Sequence, residues 1–127
     1  MWVDDELLRT IGRHCARLIS FTADRVPLIT AKGLVALAKG CAELKVLDVS
    51  RASVSAAVFK ALGSNCAELC VLSLPCCSGV SAAGLQHLSA CGKLAQLALP
   101  GRATPSTMRV IGELRASNPK LEVTWDN

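Results

Sequence analysis

Aromatic side chains are scarce in this sequence. Tyrosine is absent, and two tryptophans and two phenylalanines bring the aromatic share to 3%, although hydrophobic residues make up 51% of the 127 residues. The hydrophobic core must therefore be aliphatic, built mainly from Leu, Val, Ile and Ala. A chain of this length suits a single domain, and we expect one domain over residues 1–127.

Long runs of charge are also missing. The chain has 14 basic and 10 acidic residues, which gives a net charge of +4. Lysines and arginines are scattered along the sequence and are not interleaved with aromatic residues. Nucleic-acid-binding proteins typically concentrate their basic residues in a patch or a stripe. We therefore predict no nucleic-acid partner.

The first residues do not follow the pattern of a signal peptide, and the sequence contains no long apolar run. Its first residues, MWVDDELLRT, carry acids where a signal peptide needs a basic and then an apolar segment. An uncharged stretch covers residues 69–92, but Pro, Gly and Ser in LPCCSGVS interrupt it, whereas a membrane helix needs about 20 apolar residues. The seven cysteines are an odd number, unlike a disulfide scaffold. We predict no membrane contact and a reduced, intracellular protein in the cytoplasm or the nucleus.

Four of the cysteines recur at a nearly constant interval. Cys15, Cys41, Cys66 and Cys91 are separated by 26, 25 and 25 residues. They begin the related phrases CARLISFTA, CAELKVLDVS, CAELCVLSLP and CGKLAQLALP, and NPKLEVTWDN is a fifth copy that starts at Asn118. Such a period indicates a repeat architecture. The predicted units are a helical half-repeat at 1–14, repeats that start near 15, 41, 66 and 91, and a terminal strand at 118–127.

Each unit reads as a short strand, a loop and a helix. Leu72 and Leu74 alternate with smaller residues, which is the period of a half-buried strand. A Ser or Thr that can cap free N–H groups stands where each helix would begin; these residues are Thr30, Ser55, Ser81 and Thr104. Apolar residues then recur at helical spacing: Leu34 and Leu37, Phe59 and Leu62, and Met108, Ile111 and Leu114. Stacked units would form a parallel sheet with strands about 4.8 Å apart and helices on its other side.

The pattern C-x-x-L-x-x-L-x-L, followed by ITAKGLVALAKGC or VSAAGLQHLSAC, resembles the cysteine-containing subfamily of leucine-rich repeats. The resemblance covers essentially the whole chain. It implies an α/β leucine-rich-repeat solenoid, with short parallel strands on the concave face and helices on the convex face. Val26 and Ala52 depart from the pattern, because they replace the subfamily's second cysteine, which only Cys77 retains.

The cysteines and histidines are the candidates for chemistry. In a stacked repeat Cys41, Cys66 and Cys91 would form a buried row and would not converge on one metal ion. A reactive or metal-binding cluster remains an alternative; its members would be Cys70, Cys76, Cys77 and His87. Neither histidine has a Ser or Asp placed to complete a catalytic triad, and no glycine-rich phosphate loop is present. We predict no enzymatic activity, no cofactor and no metal site.

The remaining candidate is the concave face. Strand positions between the buried ones would point there: Ser20, Thr22 and Asp24; Val46, Asp48 and Ser50; Val71, Ser73 and Pro75; Gln96, Ala98 and Pro100. Among them, Thr22, Asp24, Asp48, Ser73 and Gln96 are our candidate partner-binding residues. The loops that leave the strands add Arg25, Arg51, Cys76 and Arg102. An arginine rim could clamp carboxylate or phosphate groups of a partner. The alternative is an ordinary solvated face.

The N-terminal end is a second candidate surface. The strand near residues 18–23 would be an exposed sheet edge beside an open core. We expect Met1 and Trp2 to fold over it, another molecule to cover it, or the chain to be the C-terminal part of a longer protein. A partner contact would include Trp2.

Two functions agree with these observations. The first is a non-catalytic protein–protein interaction module or scaffold subunit, with a protein partner on the concave face or at the N-terminal end. The second follows from the resemblance, because the subfamily is best known from F-box substrate receptors of ubiquitin ligases. This second function would be a substrate-recognition part of such a ligase. The 127 residues contain no F-box-like segment of their own.

Overall fold

The structure, a computed structural model, describes residues 3–126. Five α-helices and five β-strands alternate along the chain, and all strands belong to one parallel sheet in the order β1-β2-β3-β4-β5. The helices are α1 (Asp5–His14), α2 (Ala31–Gly40), α3 (Ala56–Asn65), α4 (Ala82–Leu85) and α5 (Pro105–Ser117). The strands are β1 (Ser20–Ala23), β2 (Val46–Val49), β3 (Val71–Ser73), β4 (Gln96–Pro100) and β5 (Glu122–Asp126). The expected α/β class with short parallel strands is confirmed.

The sheet register places equivalent residues of successive units side by side. Phe21, Leu47, Leu72, Leu97 and Val123 pair in one line across all five strands. The three central residues of this line are at most 1% exposed, whereas the two terminal ones are half-buried. The burial follows from position, because a central strand has a neighbour on both sides and an outer strand has only one.

The helices cover one side of the sheet and enclose an aliphatic core. Thr30, Ser81 and Thr104 cap α2, α4 and α5 with their side chains, while Ser55 occupies the N-cap position of α3 through its backbone. Leu34, Leu37, Phe59 and Leu62 are buried, as the helical spacing predicted, and Leu85 and Leu88 are the buried residues of the fourth helical segment. Met108 was expected among them but is 46% exposed. The inward face of α5 is formed by Val110 together with Ile111 and Leu114, and it begins after Met108.

The fourth helical segment is shorter than the sequence pattern predicts. It is a four-residue α-helix that continues as a 3-10 helix over Gln86–Ala90. Ten residues separate Ser81 from Cys91, whereas eleven separate Ser55 from Cys66. A 3-10 helix rises about 2.0 Å per residue against about 1.5 Å for an α-helix, so it spans a similar length with fewer residues.

Helix α1 is fixed to α2 by a carboxylate at its first turn. Asp5 accepts hydrogen bonds from the backbone N–H of Thr30 at 2.8 Å and from its hydroxyl at 2.5 Å. The two helices also approach closely through glycine, because a Cβ atom at Gly40 would collide with the backbone of Gly12. Both contacts hold α1 at the position that a preceding unit's helix occupies elsewhere in the chain.

The buried cysteine row is present and makes specific contacts. Cys41, Cys66 and Cys91 are at most 2% exposed. The Cys41 thiol lies 3.3 Å from the backbone oxygen of Cys15, and the Cys66 thiol lies 3.4 Å from that of Ala38. Asn118, which stands in the cysteine position of the last unit, donates from its side-chain amide to Leu94 O. Helix ends leave carbonyl groups without intrahelical partners, and the thiols approach carbonyl groups at such ends, whereas Asn118 binds a carbonyl in the loop before β4.

Candidate functional site

Two complete rows of side chains lie on the side of the sheet that faces away from the helices. We call this surface the exposed sheet face. Its rows are Ser20, Val46, Val71, Gln96 and Glu122, and Thr22, Asp48, Ser73, Ala98 and Thr124; Pro100 and Asp126 extend it at the ends of β4 and β5. Strand alternation sends every second side chain to this side. The rows contain four of the five residues that the sequence nominated here, Thr22, Asp48, Ser73 and Gln96, whereas Asp24 follows the end of β1.

Ser50, which the sequence placed among the residues that point to this side, is only 7% exposed. Its hydroxyl donates to the Asp24 carboxylate and accepts from the backbone N–H of Arg25 at 2.7 Å. The side chain therefore joins the residues that follow β1 to the end of β2.

The middle of the exposed sheet face is a shallow depression that is lined by short side chains. A depression of about 340 Å³ lies over β3 and β4. Asp48 and Glu122 stand at its two sides, and Ser73, Ala98 and Thr124 form part of its floor. The sequence analysis did not nominate Glu122, Thr124 and Asp126, because the register of the last strand depends on its pairing with β4. The pairing of Leu97 with Val123 and of Leu99 with Trp125 settles that register.

Three loop residues at the ends of β1, β2 and β3 share a left-handed backbone. Arg25, Arg51 and Cys76 have φ values of 55°, 61° and 59°, and Gly101 occupies the equivalent position after β4 with φ of 76°. All four residues are exposed. Residues other than glycine adopt this conformation at a cost. Its recurrence shows that the turn leaving each strand is a repeated feature of the fold.

The predicted arginine rim follows from this turn. The side chains of Arg25 and Arg51 leave the chain at equivalent positions of neighbouring units, whereas Arg102 lies one residue beyond the equivalent position. The Arg25 guanidinium is 3.9 Å from the Asp24 carboxylate, and both side chains are largely exposed. Arg102 and Cys76 also line a groove of about 420 Å³ at the carboxyl ends of the strands, together with Trp125 and Asp126.

Cys76 is the exposed thiol of this groove. Its sulfur is 3.7 Å from an oxygen of Asp126. Cys77 points the other way, is 6% exposed and donates to Val49 O at 3.4 Å. The cluster of Cys70, Cys76, Cys77 and His87 is therefore not assembled, since His87 lies in the 3-10 helix and Cys77 lies in the core. Residues 3–126 contain no group of three or more His, Cys, Asp or Glu side chains that could hold a metal ion.

The buried thiols differ from Cys76 in their surroundings. Burial raises the pKa of Cys66 to about 11, with neighbouring Cys91 and Cys41 as further causes. Burial also raises the pKa of Cys91 to about 11. These groups stay protonated at neutral pH, and a thiol is a nucleophile or a metal ligand only as the thiolate. They therefore act as packing and hydrogen-bonding groups.

The N-terminal candidate surface is described only in part. Trp2 lies outside the described residues. Next to β1, Ile19 and Leu28 are 53% and 50% exposed, and Phe21 is half-buried. Exposed apolar side chains thus occur near the first strand, while Leu8 and Ile29 behind it are fully buried.

Together these features define an open parallel α/β sheet with helices on one side and an exposed face on the other. The chain matches no known protein-family profile. A search of curated proteins also found no significant match. Among the helices of residues 3–126, none is long and apolar enough to cross a membrane.

Proposed function

We propose that this chain is a leucine-rich-repeat solenoid that acts as a non-catalytic protein–protein interaction module or scaffold subunit, and that its partner contacts the exposed sheet face. The observation that carries the proposal is the in-register repetition of the sheet. Five strands with one register place ten side chains in two rows on a single open surface. A surface of this kind suits extended contact with another protein better than it suits the enclosure of a small substrate.

The repeated strand-to-helix units support the solenoid. Each inner unit contributes a strand to the sheet and a helix to the layer behind it, and equivalent core residues stack between units. Quasi-one-dimensional stacking of this kind leaves one continuous surface along the repeat axis, which repeat proteins use for binding. In this arrangement the exposed sheet face is the concave side.

The state of the cysteines supports an intracellular, cytoplasmic or nuclear location. Four of the seven thiols, those of Cys41, Cys66, Cys77 and Cys91, are buried and donate to backbone oxygens. A core that uses reduced thiols in this way suits a reducing compartment. No feature of residues 3–126 adds support to the alternative, a substrate-recognition part of an F-box-type ubiquitin ligase.

Site-specific photocrosslinking tests the proposed surface. A photoreactive residue at Ser73, in the second row, should give a protein adduct in extracts, whereas one at the exposed Lys60 of α3 should not. Arg51→Glu should weaken the Ser73 adduct without lowering the melting temperature, because Arg51 is exposed at the rim. Equal adducts from positions 73 and 60, or none from position 73, would remove the exposed sheet face as the binding surface. An adduct that survives Arg51→Glu would remove only the arginine rim.

A further inference from the structure

Basic side chains are frequent on the helices and absent from the rows of the exposed sheet face. The two rows hold the carboxylates of Asp48 and Glu122, Asp126 ends β5 and Asp24 follows β1, and none of the ten row positions is a lysine or an arginine. The helices carry exposed basic side chains instead: Arg9, Arg13, Lys32, Lys39, Lys60, Arg109 and Arg115. A chain with 14 basic and 10 acidic residues thus has an acidic face on a basic molecule.

The side chains that lie between these carboxylates are small and weakly apolar. Val46 and Val71 lie side by side in the first row, and Ser73 and Ala98 lie side by side in the second. Short side chains leave the depression of about 340 Å³ over β3 and β4 open. A long side chain of a partner can therefore cross the middle of the face and place its charged end beside Asp48 or Glu122.

The spacing of the carboxylates sets the length of segment that fits. Asp48 lies on β2 and Glu122 on β5, three strands away. Because Asp48 is in line with Thr124, Glu122 is also two residues away along the strand direction. Three strand spacings combined with this offset give about 16 Å, and long Arg or Lys side chains cover the difference from the spacing of the segment that follows. Two residues four positions apart in an extended chain are about 13 Å apart and point to the same side. An extended segment that crosses the strands with Arg or Lys at such positions can therefore reach both carboxylates, and Arg binds a carboxylate through two parallel hydrogen bonds.

We infer that the exposed sheet face docks a cationic, extended segment of a protein partner, with Arg or Lys residues opposite Asp48 and Glu122 and small residues between them. The inference rests on the proposed function and adds the chemical class of the partner. Complementary charge gives such a contact its selectivity and its rate of association more than its total affinity. The rim arginines Arg25 and Arg51 then contact acidic groups of the partner that lie outside this cationic segment, which agrees with the expected loss of binding in Arg51→Glu.

A pair of matched peptides tests the partner's chemistry. One fluorescent nine-residue peptide carries two Arg residues four positions apart among Ala, Val and Ser, and its control has Glu in place of both Arg. Fluorescence anisotropy with the purified chain should show tighter binding of the Arg peptide by about 10-fold or more at low salt. Raising the salt concentration should reduce this preference, because exposed charges are screened. Equal binding of the two peptides would overturn the inference.

Two double variants locate the contact. The double variant Asp48→Asn, Glu122→Gln should lower the affinity for the Arg peptide by about 3- to 10-fold. The control variant Glu6→Gln, Glu113→Gln, with both changes on the helices, should change this affinity by less than about 2-fold. Both variants remove two negative charges, so net charge is matched. Equal weakening by the two variants would show that only the overall charge matters and would overturn the inference.

Sedimentation separates a different partner from a second copy of this chain. If the basic helix side of a second copy occupied the face, the unmodified protein would self-associate at low salt and the Asp48→Asn, Glu122→Gln variant would not. That result would overturn the assignment to a separate partner. A Ser73 adduct together with no charge preference among the peptides would leave the proposed function intact and remove only the cationic partner.

Discussion

The thiol of Cys66 lies 3.7 Å from the backbone oxygen of Cys41, the equivalent residue one unit earlier. The same relation recurs between Cys91 and Cys66, at 3.9 Å. Each of these two thiols also faces a carbonyl in the last turn of the helix of the preceding unit. This carbonyl is that of Ala38 in α2 for Cys66 and that of Leu62 in α3 for Cys91. The repeated cysteine is thus the residue at which one unit is joined to the next. This position explains why the phrase CAEL occurs twice.

Removing one thiol of this row should destabilise the fold. We expect Cys66→Ala to lower the free energy of unfolding by about 1–2 kcal/mol, because it removes a buried sulfur and its contacts with two carbonyl groups. Urea titration followed by circular dichroism measures the change. Cys15→Ala is the matched control and should change stability by less than about 0.5 kcal/mol, since Cys15 is exposed. Similar losses for both variants would mean that the row has no special structural role.

Alkaline pH should weaken the protein through the same thiols. The pKa values of Cys66 and Cys91 are raised in the folded state from 9.0 to about 11. A group with a raised folded pKa contributes stability that is complete below its unfolded pKa and is lost as pH rises through the folded pKa. The melting temperature should therefore fall between about pH 9 and pH 11.

A double variant isolates this effect from the titration of lysines. In Cys66→Ala with Cys91→Ala, the melting temperature should fall less steeply over the same pH range, because the two groups that gain charge on unfolding are absent. Differential scanning calorimetry at several pH values gives both curves. Parallel curves for the two proteins would contradict the role of the thiols.

The strand register predicts that a leucine of the central strand contributes strongly to stability. Leu72 is fully buried in the central strand and pairs with Leu47 and Leu97. Leu72→Ala should lower the free energy of unfolding by about 2–5 kcal/mol, because it opens a cavity in the shared core. Met108→Ala should cost less than about 1 kcal/mol, since Met108 is 46% exposed. A loss below about 1 kcal/mol for Leu72→Ala would be incompatible with the observed register.

Two glycine substitutions should have opposite signs. A Cβ atom would meet nothing within 4 Å at either Gly101 or Gly112, so packing does not distinguish them. Gly101 has φ of 76°, which an L-residue adopts at a cost of about 1–2 kcal/mol. Gly101→Ala should therefore be destabilising by about 1 kcal/mol. Gly112 lies inside α5, where Gly112→Ala should be stabilising by about 0.5–1 kcal/mol. Thermal unfolding of both variants checks the signs, and equal signs would contradict the left-handed turn at Gly101.

Thiol labelling should sort the seven cysteines by their positions. Cys15 and Cys76 are exposed and should react first with a maleimide reagent, followed by the half-buried Cys70. The buried thiols, Cys41, Cys66, Cys77 and Cys91, should react only when the protein opens. Mass spectrometry at successive times gives the order. A reaction of Cys76 much faster than that of Cys15 would reopen the alternative of a reactive thiol in the groove.

The sequence by itself determined the repeat, the element order and most of the core. A 25-residue period with Leu at fixed positions leaves few ways to bury the apolar side chains, so Leu47, Leu72 and Leu97 could be assigned to the buried side of the strands. The caps Thr30, Ser81 and Thr104 followed from local rules as well, because capping involves residues close in sequence. The row of buried cysteines was likewise predictable from stacking.

Only the tertiary structure decided the features that depend on neighbours distant in sequence. The register of β5 follows from its pairing with β4, and this pairing adds Glu122 and Asp126 to the exposed sheet face. Ser50 is buried because Asp24 and the backbone of Arg25 bind it from the adjacent unit. The left-handed turns at Arg25, Arg51 and Cys76 had no local signal, since glycine stands only at Gly101. A one-dimensional pattern specifies which side chains are apolar, but the charge and shape of a surface arise where separate units meet.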